Sequence, residues 1–296
     1  MKQTKITNTN YLRTGYGETE IKEESYLEAV ITYDDNGNTL KEVHYTADGD
    51  VESIVENEYD DEGHVIASSQ FDENEELCQK NTFTYEDGRV VKKGCFYGEG
   101  SPEYVTRFVF EDGHLMREDS YDEDEFDYTE KTHEYDENGR EVKMVEFNEE
   151  GEVLYRNTFE YDENGRICKR LLEEPMEHDS RTFVYSYDEA GRKTKELMYN
   201  YDEKLLARAY FTYNEDGNVT DMEEENLDIY RRTHYTYEGK NCVKIEQFDK
   251  DDALMAWAEY TFDEHNEVVL IKNFIHDEVE PEKYRVSSSI QYDIER

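Results

Sequence analysis

The chain has 296 residues, of which 35% are hydrophobic and 37% charged, and its formal net charge is −43. That balance usually marks disorder, but 14% of the residues are aromatic and 26 are tyrosine, and rings that each bury a large area can supply a core where aliphatic residues are scarce. The acidic excess excludes an electrostatic grip on nucleic-acid phosphates or anionic lipid, so no direct nucleic-acid binding and no membrane association are expected; a basic protein partner, or plain solubility, fits better.

The chain opens with MKQTKITNTNYLRTG, which has no apolar core of a signal segment, and no later stretch has the length and apolarity of a membrane span. Residues 1–25 read as a divergent N-terminal cap. A repeat then begins. YDDNGN starts at Tyr33, YDDEGH at Tyr59, YEDGR at Tyr85, FEDGH at Phe110, and YDENGR at both Tyr135 and Tyr161. YDEAGR at Tyr187 and YNEDGN at Tyr213 follow, then degenerate copies at Tyr237 and Phe262 and a truncated one at Tyr292. The period is about 26 residues, and internal repeats of this length mean stacked supersecondary units.

Before each of these aromatics the chain alternates. Tyr161, Phe159, Asn157, Tyr155 and Val153 share one parity, and Glu160 and Thr158 the other. The same holds for Tyr213, Phe211, Ala209, Ala207 and Leu205, and for Phe262, Tyr260, Ala258, Ala256 and Leu254. Period two over eight or nine residues predicts a strand with one buried face. Asp-Glu-Asn-Gly then predicts a type I turn with left-handed glycine, at Gly37, Gly63, Gly139, Gly165, Gly191 and Gly217. The shorter Asp87-Gly88 and Asp112-Gly113 predict two-residue type I′ turns, with Gly88 and Gly113 in the same structural role.

A second strand follows each turn and ends on another aromatic: Tyr45, Phe71, Phe96, Tyr121, Phe147, Tyr199. Irregular second connections lead into the next copy, and Pro102, Pro175 and Pro281 all fall in them, where no ladder bond is lost. The prediction is an all-β fold of about eleven hairpins, some 22 antiparallel strands in chain order. Such a sheet must twist, and coiling it into a β-solenoid or open spiral shell would bury the aromatic face against itself. The whole chain, 1–296, reads as one repeat domain, with repeats over 26–274 and an irregular C-terminal cap over 275–296.

Tyr-Asp-x-x-Gly-Arg at 135–140, 161–166 and 187–192 resembles the core of the YD repeat of Rhs-type proteins. The likeness covers about residues 26–270. It implies β-hairpin repeats of the kind that, in that family, build a spiralling shell around a toxin domain. The period here is longer than the family's, and no autoproteolytic core or toxin domain follows the array, so the resemblance implies the hairpins and not encapsulation.

Catalysis is not expected. The 76 acidic residues fall mostly in turns and on the polar parity, where solvent keeps carboxylates ordinary, whereas acid–base work needs a sheltered pair. His64 and His114 occupy the position held by Arg140, Arg166 and Arg192 just after the turn glycine, and read as repeat residues. Asp-x-Asn-Gly at 34–37 and 136–139 lacks the spaced carboxylates and distal Glu of a calcium loop; only the acidic run at 122–127 could hold a cation weakly. No cofactor and no metal site are expected. Cys78, Cys95, Cys168 and Cys242 form no CxxC pair, as in a reduced cytoplasmic protein.

Two surfaces remain. Lys41, Lys92, Arg117, Lys143, Lys169 and Lys195 stand four residues past the turn glycines and would stack into a basic stripe, either paired with strand glutamates or open as an anion track. The second connections would cluster on one side, as binding loops do in repeat proteins. Near them, on the parity opposite the aromatic face, come Tyr128, Leu154, Leu206, Tyr230, Met255 and Trp257, the candidate partner-binding residues. Trp257, over Tyr230 or Arg232, would anchor a partner; alternatively it plugs a second core. The leading expectation is a non-enzymatic scaffold that binds a basic protein, for instance an immunity-like inhibitor of a toxin. The alternatives are an acidic nucleic-acid mimic that blocks a DNA- or RNA-binding protein, and a carbohydrate-binding repeat protein.

Overall fold

A computed structural model describes residues 2–15, 19–98, 100–122, 128–277, 279–280 and 282–295; Pro281 and most of the 122–127 acidic run lie outside the described residues. The first strands are β1 Lys2–Arg13, β2 Ile21–Tyr33, β3 Thr39–Tyr45, β4 Val51–Tyr59, β5 Val65–Phe71, β6 Leu77–Glu86 and β7 Arg89–Phe96. Then come β8 Tyr104–Glu111, β9 His114–Asp122, β10 Tyr128–Tyr135, β11 Glu141–Phe147, β12 Val153–Tyr161, β13 Ile167–Glu174 and β14 Asp179–Tyr187. The last are β15 Lys193–Asn200, β16 Leu205–Tyr213, β17 Val219–Asn226, β18 Tyr230–Glu238, β19 Asn241–Phe248, β20 Leu254–Phe262, β21 Val268–His276 and β22 Tyr284–Ile294.

Each strand pairs antiparallel with the next, as the repeat predicts. The expectation of an open spiral or solenoid is wrong, because β22 also pairs with β1, Thr4 through Asn10 lying opposite Ile294 through Ser288. The result is a closed 22-stranded barrel. Closure removes the two free edges an open sheet would expose. The segments read as end caps contain the two strands of the seam, and Arg13 forms an ion pair with Asp277 across it.

The wall is a single layer around a hollow. Twenty-two strands about 4.8 Å apart, tilted as in other barrels, trace a perimeter of roughly 130–150 Å. The longest connections between strands have seven residues, too few to plug such a bore. The accessible surface is 18770 Å², against about 13,000 Å² for a compact protein of this mass. Among the described residues only Ala29, Ile54, Ala67, Val105 and Val145 are buried apolar side chains. The aromatic face is therefore half-buried along a wet lumen rather than sealed against itself.

Of the two faces, the one carrying Tyr161, Phe159 and Asn157 is the more crowded; Glu58, Thr84, Arg107, Glu134, Glu160, Ser186, Thr212, Thr236 and Glu259, on the other parity, are exposed. The aromatic parity thus lines the concave lumen. The outer wall carries the lysine ladder, and Lys41–Glu56 (2.8 Å), Lys143–Glu134 (2.7 Å) and Lys169–Glu160 (2.9 Å) are ion pairs between strands. Cross-strand pairing accounts for these three residues of the ladder, while Arg117 pairs with Asp119 of its own strand.

The turns form as predicted. In the five-residue turns that begin with Asp, its carboxylate accepts backbone N–H groups further along the turn, as Asp162 does from Asn164 and Arg166. All eight predicted turn glycines have positive φ, and Asp87 (50°) and Asp112 (48°) share it in the two-residue turns. The second connections are less irregular than expected. Those at 46–50, 72–76, 148–152, 200–204 and 249–253 repeat the same five-residue hydrogen-bond pattern, with Glu75, Glu203 and Asp252 in the left-handed position.

A bulge beside most turns shifts the register by one residue. It places Val153 opposite Phe147, Leu205 opposite Tyr199 and Leu254 opposite Phe248. Simple alternation had put Val153, Leu205 and Leu254 on the lumen parity; one inserted residue moves them beside outward-facing aromatics. Leu154, Leu206 and Met255 are the inserted residues.

At the Tyr-Asp rim, neighbouring repeats fork apart beyond their last ladder pair, such as Lys169–Val184. The repeat tyrosine spans the fork. Tyr187 donates its hydroxyl to the Ile167 carbonyl (2.7 Å), Tyr161 to Glu141 (2.6 Å) and Tyr213 to Lys193 (2.6 Å); Tyr59, Tyr85, Tyr135 and Tyr237 do the same. The residue after the turn glycine then covers the next repeat's ring. Arg140 lies 4.7 Å over Tyr161, Arg166 4.6 Å over Tyr187 and Arg192 4.8 Å over Tyr213. His64 stacks on Tyr85 and His114 packs on Tyr135, which makes both histidines repeat residues. Each Arg is aimed by its own turn Asp, Arg140 Nε donating to Asp136 at 2.7 Å. That hydrogen bond, with the Arg140 and Asn138 backbone N–H groups, holds the Asp136 carboxyl down at about 2.

Candidate functional site

The two mouths of the barrel differ. Eleven large apolar side chains are exposed among the described residues, and all lie at or toward the rim opposite the Tyr-Asp turns. Leu12, Ile21 and Leu27 flank the β1–β2 connection, Tyr97 and Tyr104 the β7–β8 connection, and Met255 the start of β20. The densest group spans three neighbouring hairpin tips: Met176 (55% exposed) after β13, Tyr201 (65%) and Leu205 after β15, and Leu227 (71%) and Ile229 (56%) after β17. Exposed apolar groups gathered on one surface mark an interaction site far more than singly scattered ones do.

Just inside these tips the lumen wall has a recess of about 320 Å³. It exists because β16 places Ala207 and Ala209 where β12 has Tyr155 and Asn157. Phe183, Met198, Phe211 and Ile229 form its apolar sides, and Glu196 and Glu224 its acidic ones. Arg231 donates to Glu224 at 2.7 Å and Lys193 to Glu196 at 2.7 Å, so the carboxylates are held in place. Around it the rim is acidic: every connection at this end has more Asp and Glu than Lys and Arg. The arrangement can grip a basic, partly apolar chain.

The remaining candidates separate. Tyr128, on β10, and Trp257, on β20, are ten strands apart in a ring of 22, almost opposite each other. Tyr128 is half-buried and donates to Asp119 and Glu130, both at 3.0 Å. Leu206 lines a smaller hollow with Leu205 and Leu227, and Tyr230 opens β18 beside Ile229, so these two do belong to the three-hairpin group. Trp257 packs neither on Tyr230 nor on Arg232. It stacks on Phe274 (4.5 Å between centroids, 7° between planes), meets Tyr284 edge-on, and donates its indole N–H to Glu259 at 3.1 Å. The bulge that turns Tyr284 to the outer face is invisible to alternation. Leu227 and Ile229 were missed because they stand in a connection, outside any strand pattern; two large apolar residues in a short acidic turn were the available signal.

A well-sheltered histidine is His133, 10% exposed, with Nδ1 2.6 Å from Glu141 and Nε2 3.2 Å from Glu118. Both ring nitrogens are taken by carboxylates. Among the described residues no group of three or more His, Cys, Asp or Glu side chains could hold a metal ion. No helix is long and apolar enough to cross a membrane. The outer wall is laced with ion pairs, where a lipid-facing barrel needs an apolar band about 25 Å tall.

No family model matches the sequence, and no curated protein matches it. Among solved structures the chain is similar to TcdB2-TccC3-TEV, at 12% identity over 95% of this chain and 18% of that one, with a TM-score of 0.44. It is similar to TcdB2-TccC3-Cdc42 at 15% identity over 84% and 15%, TM-score 0.38. It is also similar to a porin-like protein from Bacteroides uniformis, at 9% identity over 98% and 97%, TM-score 0.35. The chain spans less than a fifth of the TcdB2-TccC3 chains. At these scores the β-hairpin repeat fold rests on the strand pairing itself.

Proposed function

We propose that this protein is a non-enzymatic binding scaffold of YD-like hairpins, working in the cytoplasm, that docks a basic protein at the mouth opposite its Tyr-Asp turns. The observation that carries the reading is the gathering of the exposed large apolar residues at that one mouth, set in acidic connections. Apolar contacts supply affinity and the carboxylates steer a cationic partner. An immunity-like inhibitor of a basic toxin is the narrower form of the same reading. A nucleic-acid mimic is less well supported, because the first carboxylate of many turns is already bonded to its own turn N–H groups and, in three repeats, to an arginine.

A photo-crosslinking residue placed at Leu227, and separately at Glu163 on the other rim, tests this in lysate of the source cell. A basic protein crosslinked from Leu227 and not from Glu163, with a yield that falls as salt rises, is the expected result. Equal yields from both rims, or capture of a glycan, would overturn it.

A further inference from the structure

Resting on that reading, we infer that the three-hairpin group takes its partner as a basic amphipathic helix laid along the rim. At the three-hairpin group β13 to β18 are each paired on both sides, so the wall there offers no strand edge onto which a partner strand could add; the long one-sided stretch, Ile21–Glu28 of β2, lies elsewhere on the ring. The docking element must therefore bring its own satisfied backbone, which a helix does.

The spacing agrees. Consecutive hairpin tips are two strands apart, an eleventh of the perimeter, about 12–14 Å along the tilted rim. Eight residues, a little over two helical turns, advance about 12 Å. A helix of about 18 residues spans about 27 Å and presents one apolar residue to each of the tips carrying Met176, Tyr201 and Leu227. At the tips, its flanks meet Asp202, Glu203 and Asp228, which are exposed, so lysine or arginine belongs there. The recess behind Ile229 accepts one larger apolar side chain from the helix.

The test uses an 18-residue Leu/Lys peptide of amphipathic pattern and a scrambled peptide of the same composition, each titrated by fluorescence anisotropy at physiological salt. The expected result is binding at least about tenfold tighter for the patterned peptide. The Tyr201→Asp, Leu227→Asp double variant should weaken it about tenfold or more, although it adds two negative charges. That sign separates the explanations, since binding by charge alone would strengthen. Both substitutions are in exposed tips, and an unchanged circular dichroism spectrum shows that the barrel remains. Equal affinity for both peptides, lost in the double variant, would overturn the helix and leave the rim reading standing. Binding unchanged or tightened in the double variant would overturn the rim itself. No binding of either peptide at millimolar concentration would overturn the helix inference.

Discussion

Tyr187→Phe removes the hydroxyl that bridges the fork between β13 and β14, leaving the half-buried Ile167 carbonyl without that donor. A hydrogen bond of this kind contributes about 1 kcal/mol net, and an orphaned acceptor raises the cost toward 1.5. The sequence contains the reverse experiment. Phe110 and Phe262 occupy the same repeat position without a hydroxyl, and by the register of the other copies the carbonyls twenty residues earlier, on Val90 and Cys242, are the equivalent acceptors. Phe110→Tyr should therefore add about what Tyr187→Phe removes. For a chain of this length the unfolding entropy near the midpoint is about 0.6 kcal/mol per kelvin, so 1 kcal/mol corresponds to only about 1.5–2 °C. Urea midpoints, with the slope held constant, resolve this better than melting temperatures. If Tyr187→Phe and Phe110→Tyr both leave the midpoint unmoved, the fork is bridged by water equally well and the tyrosine's role is its ring alone.

Gly165→Ala should destabilise by about 1 kcal/mol through left-handed strain, and Gly139→Ala by more, because its new Cβ would stand 2.9 Å from His114 Cε1; Glu203→Gly should stabilise by about 0.5–1 kcal/mol for the converse reason, all read by urea unfolding. Stability should fall at both pH extremes. The turn hydrogen bonds hold Asp136 and Asp162 below 3.8, so their contribution is full above that value and lost as pH falls through the folded range. Burial raises Tyr161 and Tyr187 above 10, so theirs is lost as pH rises past it. In Asp162→Asn the acid limb should flatten, which an acid titration followed by circular dichroism would show or deny. Trp257→Ala should destabilise by about 2–3 kcal/mol, since it strips a stacked ring from Phe274 and Tyr284; an unchanged urea midpoint would mean the aromatic group contributes nothing to the wall.

Strand count, strand bounds and turn types were legible because each rests on local chemistry: period-two alternation, Asp-x-x-Gly, and a repeat that checks itself ten times. Closure was not. Whether a twisted sheet of this size spirals or meets its own first strand depends on tilt summed over 22 strands, and neither the divergent β1 nor the truncated Tyr292 copy in β22 signals that the two pair. The alternation also failed wherever a bulge intervened, which misplaced Leu254 and hid the partners of Trp257. The Tyr-Asp-x-x-Gly-Arg motif was recognised before its purpose was. Tyr and Arg act between repeats, with Asp aiming the Arg of its own turn, and contacts across a gap of 18 to 22 residues leave no trace in a single copy.

The seam gives the array a cyclic order. Glu295 donates its backbone N–H to the Gln3 carbonyl at 2.8 Å, so the two ends of the chain meet on the Tyr-Asp rim. A solenoid gains or loses copies at its ends with little change elsewhere. Here one hairpin more or fewer would alter the circumference that every strand shares. Circular permutants tell the same story from the other side: with residues 3 and 295 joined by a short linker, new ends opened at any five-residue turn interrupt no ladder. All twelve such cuts among the described residues should return one and the same ring, while a ten-hairpin deletion should not close.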